Sequence, residues 1–135
     1  MNKTTIALLA AVTASVAQAE FTVSGEIAHQ GEGTLYLELL NEMQFANGEN
    51  SALGLALEPS ADKVTFTFVN VPAGSYVVQG FQDTNGNGEL DEGMMGPKEP
   101  WAILGYTPSF SAPDFNKLKI GVSEDVSGLE VVMKK

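Results

Sequence analysis

The chain has 135 residues and a formal net charge of −10, with seven Lys plus Arg against seventeen Asp plus Glu. A chain of this length forms a single domain, and its charge excludes a sequence-independent nucleic-acid binder, which needs a basic surface to neutralise phosphates. All seven cations are lysines, so the chain also lacks the planar guanidinium that recognises phosphates with two hydrogen bonds.

The first 19 residues have the three parts of a secretory signal peptide. Lys3 gives a positively charged start, residues 6–16 form an apolar run, and Ala17-Gln18-Ala19 is an A-x-A cleavage signal. The apolar run is shorter than the about 20 residues that a membrane span needs. We therefore expect cleavage after Ala19, a periplasmic or secreted protein without membrane insertion, and one mature domain over residues 20–135.

The chain contains no cysteine. Many small exported domains depend on disulfides in an oxidising compartment, and this one has none available. A domain of this size can bury enough surface without them. Any additional cross-link would have to be ionic, and a bound metal ion is the natural candidate.

The first half of the mature chain has the pattern of β-strands. Residues 21–27 and 34–39 alternate apolar and polar side chains, as half-buried strands do. The Gly31-Glu32-Gly33 turn between them predicts a hairpin. Residues 53–57 predict a short strand, which Pro59 ends.

The second half continues this pattern. Residues 64–69 are rich in β-branched and aromatic side chains, and a turn at Pro72-Ala73-Gly74 leads into a further strand over residues 75–81. Residues 118–122 and 129–133 predict the last two strands. Apart from the signal peptide, no segment has the 3.6-residue period of a helix. The sequence therefore predicts an all-β fold, an antiparallel β-sandwich of about seven strands.

Residues 84–116 form the longest segment without a strand pattern. A structureless loop of this length is improbable inside a compact domain unless something organises it. The segment is therefore where we expect the functional site.

The beginning of this segment has the spacing of a calcium loop. Residues 83–91 read DTNGNGELD, which places oxygen-bearing side chains at loop positions 1, 3, 5, 7 and 9 and glycine at position 6. Calcium binds six to eight oxygens, which alternate residues of a tightly wound loop can supply. The predicted ligands are Asp83, Asn85, Asn87, Glu89 through its backbone carbonyl, and Asp91.

The loop is not an EF-hand. Position 12, where an EF-hand has a bidentate Glu, is Met94, and a strand instead of a helix leads into the loop. Glu92, Glu99 or another loop would have to supply the missing carboxylate. We expect weak calcium affinity, because Asn replaces Asp at positions 3 and 5 and position 12 has no carboxylate.

A plain β-turn is the alternative interpretation, since Asn-Gly-Asn-Gly is a strong turn sequence. Four carboxylates within ten residues argue against it, because they repel one another without a cation. They are Asp83, Glu89, Asp91 and Glu92.

Three segments together resemble the DUF2141 family of small exported bacterial proteins. They read VPAGSY at residues 71–76, FQDTNGNGELD at 81–91 and GPKEPW at 96–101. The first is also similar to a turn of transthyretin-like and carboxypeptidase-regulatory-like sandwiches, so the resemblance implies a transthyretin-like or Ig-like β-sandwich. It implies almost nothing about activity, because the family has no assigned reaction.

The other candidate sites are weaker. His29 is the only histidine and has no catalytic motif around it, so we expect a surface residue and no enzyme. Trp101, Tyr106 and Phe110 follow the predicted calcium loop. They would form an aromatic platform for a sugar ring or a peptide, or would cap the open end of the sandwich.

We expect an exported calcium-binding module without catalytic activity, with calcium ordering residues 83–113. Its partner would be a protein or a saccharide. A purely structural, envelope-associated protein without a small ligand is the first alternative. A hydrolase that uses a carboxylate pair is a more distant one.

Overall fold

The structure is a computed structural model that describes residues 19–108 and 111–134. Apart from Ala19, the predicted signal peptide lies outside the described residues. The described part of the chain contains ten strands and two short helices. In chain order these are β1 (Glu20–Ala28), β2 (Thr34–Leu40), α1 (Glu42–Asn47), β3 (Gly54–Leu57), β4 (Lys63–Pro72), β5 (Gly74–Asp83), β6 (Glu92–Gly93), β7 (Gly96–Pro97), β8 (Trp101–Ile103), α2 (Phe115–Leu118), β9 (Ile120–Val122) and β10 (Val126–Val132).

The strands form two main sheets and a small ribbon. One sheet has the order β10–β1–β4, the other has the order β3–β2–β5–β8 with β9 also paired to β5, and β6 pairs with β7. Among these pairs only β1 with β10 is parallel. The all-β prediction is confirmed, and the parallel pair is a feature that the sequence did not indicate.

Both sheets contribute to one hydrophobic core. The core includes Val23, Ile27, Phe66, Phe68 and Val131 from the three-stranded sheet and Leu35, Leu37, Leu39, Val78 and Ala102 from the other. In β2 and in the first part of β4, the buried side chains alternate with more exposed ones, as the period of two predicted. One core cluster is therefore shared by the two sheets.

The predicted hairpin between β1 and β2 is wrong. These strands belong to different sheets, so the turn at Gly31–Gly33 carries the chain from one sheet to the other. The buried amide of Gln82 holds this turn, because its Nε2 donates to the carbonyl oxygens of Gly31 (3.1 Å) and Gly33 (3.3 Å). A glycine-rich turn suits a crossover as well as a hairpin, so the turn sequence alone did not distinguish them.

Two short helices were not expected from the sequence. Helix α1 begins with a capping box between Asn41 and Gln44 and ends at Gly48, which has a positive φ of 67°. Helix α2 ends at Leu118, the first residue of the strand predicted over residues 118–122, and β9 covers residues 120–122 of that prediction. The rings of Phe45 and Phe115 lie 6.1 Å apart and join the two helices.

The long segment after β5 is not structureless. It contains the β6–β7 ribbon and β8, and β8 pairs with β5 on the opposite side from β2. Trp101 also forms an isolated bridge to Lys134, beyond the end of β10. Within residues 19–108 and 111–134, no helix is both long and apolar enough to span a bilayer.

Candidate metal centre

The predicted calcium loop begins where β5 ends. Asp83 is the last residue of β5 and is only 4% exposed. The strand end is held from both sides, because Asp83 is in register with Thr34 of β2 and the N–H of Gln82 donates to the carbonyl oxygen of Pro100 (2.9 Å). One carboxylate is therefore fixed at the base of the loop.

The loop backbone is wound around the carboxylate of Asp83. Its Oδ1 accepts from the N–H groups of Gly86 (3.0 Å) and Asn87 (3.2 Å), and its Oδ2 accepts from the N–H of Gly88 (2.7 Å). Gly86 and Gly88 have φ angles of 76° and 78°, which residues other than glycine rarely adopt. Successive N–H groups directed at one anion form the concave arrangement in which protein backbones bind negative charge.

Three further side chains of the loop are joined directly. Asn87 donates through Nδ2 to Oδ1 of Asp91 (2.8 Å), and Asn85 donates through Nδ2 to Oδ2 of the same carboxylate. The carbonyl oxygens of the two amides accept from loop N–H groups, that of Asn85 from Asn87 (3.2 Å) and that of Asn87 from Glu89 (3.0 Å). Four of the five predicted ligand residues thus have side chains within the hydrogen-bond network of the loop, while the side chain of Glu89 is exposed.

These contacts affect the titration of Asp91. The hydrogen bond from Asn87, then that from Asn85, and more weakly the positive charge of Lys98, hold the pKa of the Asp91 carboxyl below its ordinary value of 3.8, while partial burial acts in the opposite direction. The two amides thus favour the ionised carboxylate, which is the form that binds a cation.

Glu99 closes the loop from the opposite side. It is 2% exposed, and its Oε2 accepts from the N–H (2.7 Å) and hydroxyl (3.2 Å) of Thr84, with a longer contact to the N–H of Asn85 (3.4 Å). Its Oε1 accepts from the N–H of Asp91 (3.0 Å). Of the two nearby carboxylates that the sequence offered, the structure places Glu99 against the loop and leaves Glu92 exposed. Glu99 binds the loop backbone at both ends and therefore organises it.

The family comparison covers the part of the chain that contains this loop. The model of a family described as "uncharacterized protein conserved in bacteria (DUF2141)" matches residues 18–129, a range that contains the whole loop and Glu99. The chain belongs to this family. No curated protein and no solved structure matches the chain. The resemblance seen in the sequence is confirmed, and the family description assigns no reaction to this DUF2141 chain.

The oxygen donors of the loop suit a weakly bound hard cation. Within residues 19–108 and 111–134, no three His, Cys, Asp or Glu side chains form a group that could hold a metal ion. The loop of the DUF2141 chain instead combines two carboxylates, Asp83 and Asp91, with two Asn carbonyl oxygens, which are donors that calcium accepts. The amide N–H groups of Asn85 and Asn87 bond to Asp91, so a cation at this carboxylate would have to displace them.

The structure brings two of the three predicted platform aromatics together, Trp101 and Tyr106. The rings of Trp101 and Tyr106 are half-buried, with centroids 6.2 Å apart and planes inclined by 40°. Phe110 lies outside the described residues. Both residues line a small cavity of about 230 Å³ against the end of β10, and Trp101 also lines a larger groove to which residues 88–90 of the loop contribute.

Two aromatic residues missed by the sequence analysis lie beside Trp101. In the five-stranded sheet of the DUF2141 chain, Tyr36 of β2 is in register with Phe81 of β5, and Phe81 is in register with Trp101 of β8. The rings of Tyr36 and Phe81 are stacked, with centroids 5.2 Å apart. Tyr36 interrupts the buried leucines of β2, which indicated that it faces away from the core, but nothing in the sequence paired it with Phe81.

Among residues 19–108 and 111–134, His29 contacts no group of a catalytic type. It follows β1 directly and is half-buried, with its Nε2 against the carbonyl oxygen of Ala61. Its Nδ1 has no hydrogen-bond partner among the described residues. A catalytic histidine needs a group that orients it and a nucleophile within reach, and the contacts of His29 supply neither.

Proposed function

We propose that this protein is an exported, calcium-binding β-sandwich that acts as a non-catalytic binding or accessory module. Calcium binds in the loop over residues 83–91 and orders the longer segment 83–113. The signal-peptide pattern of residues 1–19 supports export to the periplasm or beyond. The observation that carries the proposal is the direct contact among the side chains of Asn85, Asn87 and Asp91, next to a buried Asp83.

The arrangement of donors determines how calcium would bind. Asp83 and Asp91 supply the charge, the carbonyl oxygens of Asn85 and Asn87 supply neutral donors, and the backbone carbonyl of Glu89 completes the set. Each of these oxygens has two lone pairs, so an oxygen that accepts one backbone N–H still has a lone pair for the ion. Bound calcium would displace the amide N–H groups of Asn85 and Asn87 that now donate hydrogen bonds to Asp91. This displacement costs free energy, which keeps the affinity weak.

A non-catalytic role is supported by the state of the carboxylates. Asp83 and Glu99 are buried and bond to backbone N–H groups, so neither is free to transfer a proton to a substrate. Glu38, which faces the groove beside the loop, is held by the N–H of Ser51 (3.0 Å) and the amide of Gln79 (3.3 Å). A glycoside hydrolase needs two facing carboxyl groups, one of which is protonated and able to donate.

Thermal melting in EDTA and in millimolar calcium tests the proposal. With a Kd of about 0.1 mM, 1 mM calcium adds about 1.4 kcal/mol to the free energy of unfolding. For a domain of about 115 residues this raises Tm by about 6 °C. Asp91→Asn should remove most of this rise, because the variant retains the size of the side chain and loses its charge.

Asp62→Asn is the matched control. It makes the same chemical change at an exposed carboxylate before β4, far in sequence from the loop, and should keep the full calcium response. If calcium does not raise the Tm of the unmodified protein, the calcium proposal is wrong. An equal rise in Asp91→Asn would place the ion at another site.

A further inference from the structure

We propose that the outer face of the five-stranded sheet is the binding site for a neutral saccharide chain. A groove of about 860 Å³ lies on this face, within the range of about 300–1,000 Å³ typical of small-molecule sites. Residues 48, 50 and 51 and residues 88–90 and 92 also line it. We call it the outer-face groove, and its floor includes Tyr36, Glu38, Gln79, Phe81, Trp101 and Ile103.

A row of three aromatic rings crosses the floor of the groove. Tyr36, Phe81 and Trp101 are register partners on the adjacent strands β2, β5 and β8, so their side chains lie side by side on one face. All three are half-buried, which fixes the rings while leaving part of each accessible. Fixed aromatic surfaces bind the apolar faces of sugar rings with little loss of conformational entropy.

A polar row runs next to the aromatic one. Glu38 and Gln79 are register partners, and the Nε2 of Gln79 donates to the Oε2 of Glu38 (3.3 Å). The other carboxylate oxygen of Glu38 accepts from the N–H of Ser51 (3.0 Å). The carboxylate is thus held in place and keeps lone pairs for hydroxyl donors. Aromatic rings beside fixed hydrogen-bonding groups match a ligand that alternates apolar ring faces with hydroxyl edges.

The charge of the groove selects among possible ligands. Its described lining includes Glu38, Glu89 and Glu92 and no lysine. An anionic ligand would be repelled, and a second copy of this chain placed on the same face would bring carboxylates against carboxylates. A peptide that adds a strand needs a free sheet edge, whereas this groove lies on the face of the sheet. A neutral saccharide is not repelled by the carboxylates and does not need a free sheet edge.

This inference specifies the ligand of the proposed binding module and does not require calcium. The loop lines the groove through residues 88–90, but the aromatic and polar rows belong to β2, β5 and β8. Saccharide binding and calcium binding can therefore be tested separately, by measuring each saccharide in EDTA and again in calcium.

Trp101 supplies the signal for the test, because it is the only tryptophan of the chain. The purified protein is titrated with neutral hexasaccharides of the cello-, malto-, chito- and xylo- series, and its fluorescence is recorded. We expect a saturable change with at least one of them, and binding about tenfold tighter than that of the corresponding monosaccharide, since several rings are stacked at once.

Variants locate the binding. Phe81→Ala and Tyr36→Ala should each weaken binding by about tenfold, because each removes one stacking surface. Glu38→Gln preserves the shape of the side chain and should weaken binding by about threefold while the fold is retained in circular dichroism. Val69→Ala is the control, since Val69 is 58% exposed on β4 in the other sheet and should leave binding unchanged.

Several results would overturn the inference. Absence of a response to all four series at millimolar concentration would do so, as would undiminished binding in Phe81→Ala and Tyr36→Ala. Stronger binding of an oligogalacturonate or an oligolysine peptide would assign the groove to a charged ligand. A dimer in light scattering that Phe81→Ala dissociates would assign it to a second copy.

One result would separate the two proposals. Saccharide binding in EDTA without any calcium effect on Tm would refute the calcium proposal and support the saccharide proposal.

Discussion

The organising role of Glu99 leads to the most direct test of the loop structure. Glu99→Gln changes one carboxylate oxygen to an amide nitrogen and leaves the shape of the side chain almost unchanged. The side chain is 2% exposed, and its two oxygens receive N–H groups at opposite ends of the loop, from Thr84 (2.7 Å) and Asp91 (3.0 Å). A glutamine has one carbonyl oxygen, so its amide nitrogen must face one of these donors.

The size of the effect follows from these contacts. A hydrogen bond to a charged group contributes about 1.5–3 kcal/mol, against about 0.5–1.5 kcal/mol for a neutral one. In Glu99→Gln one such bond is lost and the other loses its charge, while water reaches part of the released loop. We therefore expect the free energy of unfolding to fall by about 2 kcal/mol. With an unfolding entropy of about 2.1 cal/mol/K per residue over about 115 residues, Tm falls by about 8 °C.

The measurement is thermal unfolding by circular dichroism in EDTA, so that no calcium contributes. Glu92→Gln is the matched control, because it removes the same charge from an exposed residue close to the loop. A surface change of this kind alters the free energy of unfolding by at most about 0.5 kcal/mol, which corresponds to a change in Tm of about 2 °C. A fall in Tm for Glu99→Gln no larger than that for Glu92→Gln would refute the conclusion that Glu99 organises the loop.

Two further predictions concern the same region. Gly33→Ala should destabilise the fold by about 2–4 kcal/mol in urea unfolding, because Gly33 has a φ of 121° and a Cβ there would collide with the carbonyl oxygen of Asp83. Gly31→Ala should cost only about 1 kcal/mol, because its φ is also positive but its Cβ would meet open space, and equal costs would contradict the reasoning. Asp91 has a lowered pKa, so its contribution to stability is present above the ordinary pKa and is lost as pH falls through the folded value. Asn87→Ala should raise the pKa of Asp91 in an NMR titration of the side-chain carboxyl carbon in EDTA. An unchanged pKa would show that the Asn87 amide is not the main cause of the lowered pKa.

The strands were predictable because their signal is local. Alternation in β2 and β4 reflects the two faces of each strand, and every residue needed to see it lies within the strand itself. Helix α1 was not predicted, because its six residues form less than two turns and cannot display a 3.6-residue period. Its capping box was the available signal, with Asn41 just before the helix and Gln44 in its first turn.

Sheet membership was not predictable in this way. The Gly31–Gly33 turn is compatible with a hairpin, yet β1 and β2 separate into different sheets. The choice depends on which strands pair with β1 and with β2. The partners of β1 are β4 and β10, and those of β2 are β3 and β5. Except for β3, each of these partners lies far along the chain from the strand with which it pairs.

By itself, the sequence determined the all-β class and the loop in which Asp83, Asn85, Asn87 and Asp91 come together. Strand periodicity and loop winding depend on neighbouring residues, and the glycines at 86 and 88 permit the positive φ angles that the winding of the loop requires. Only the tertiary structure decided that Glu99, and not Glu92, closes the loop, and that Tyr36, Phe81 and Trp101 form one row. These contacts join distant segments through strand register and burial, and register is set by the packing of the whole domain.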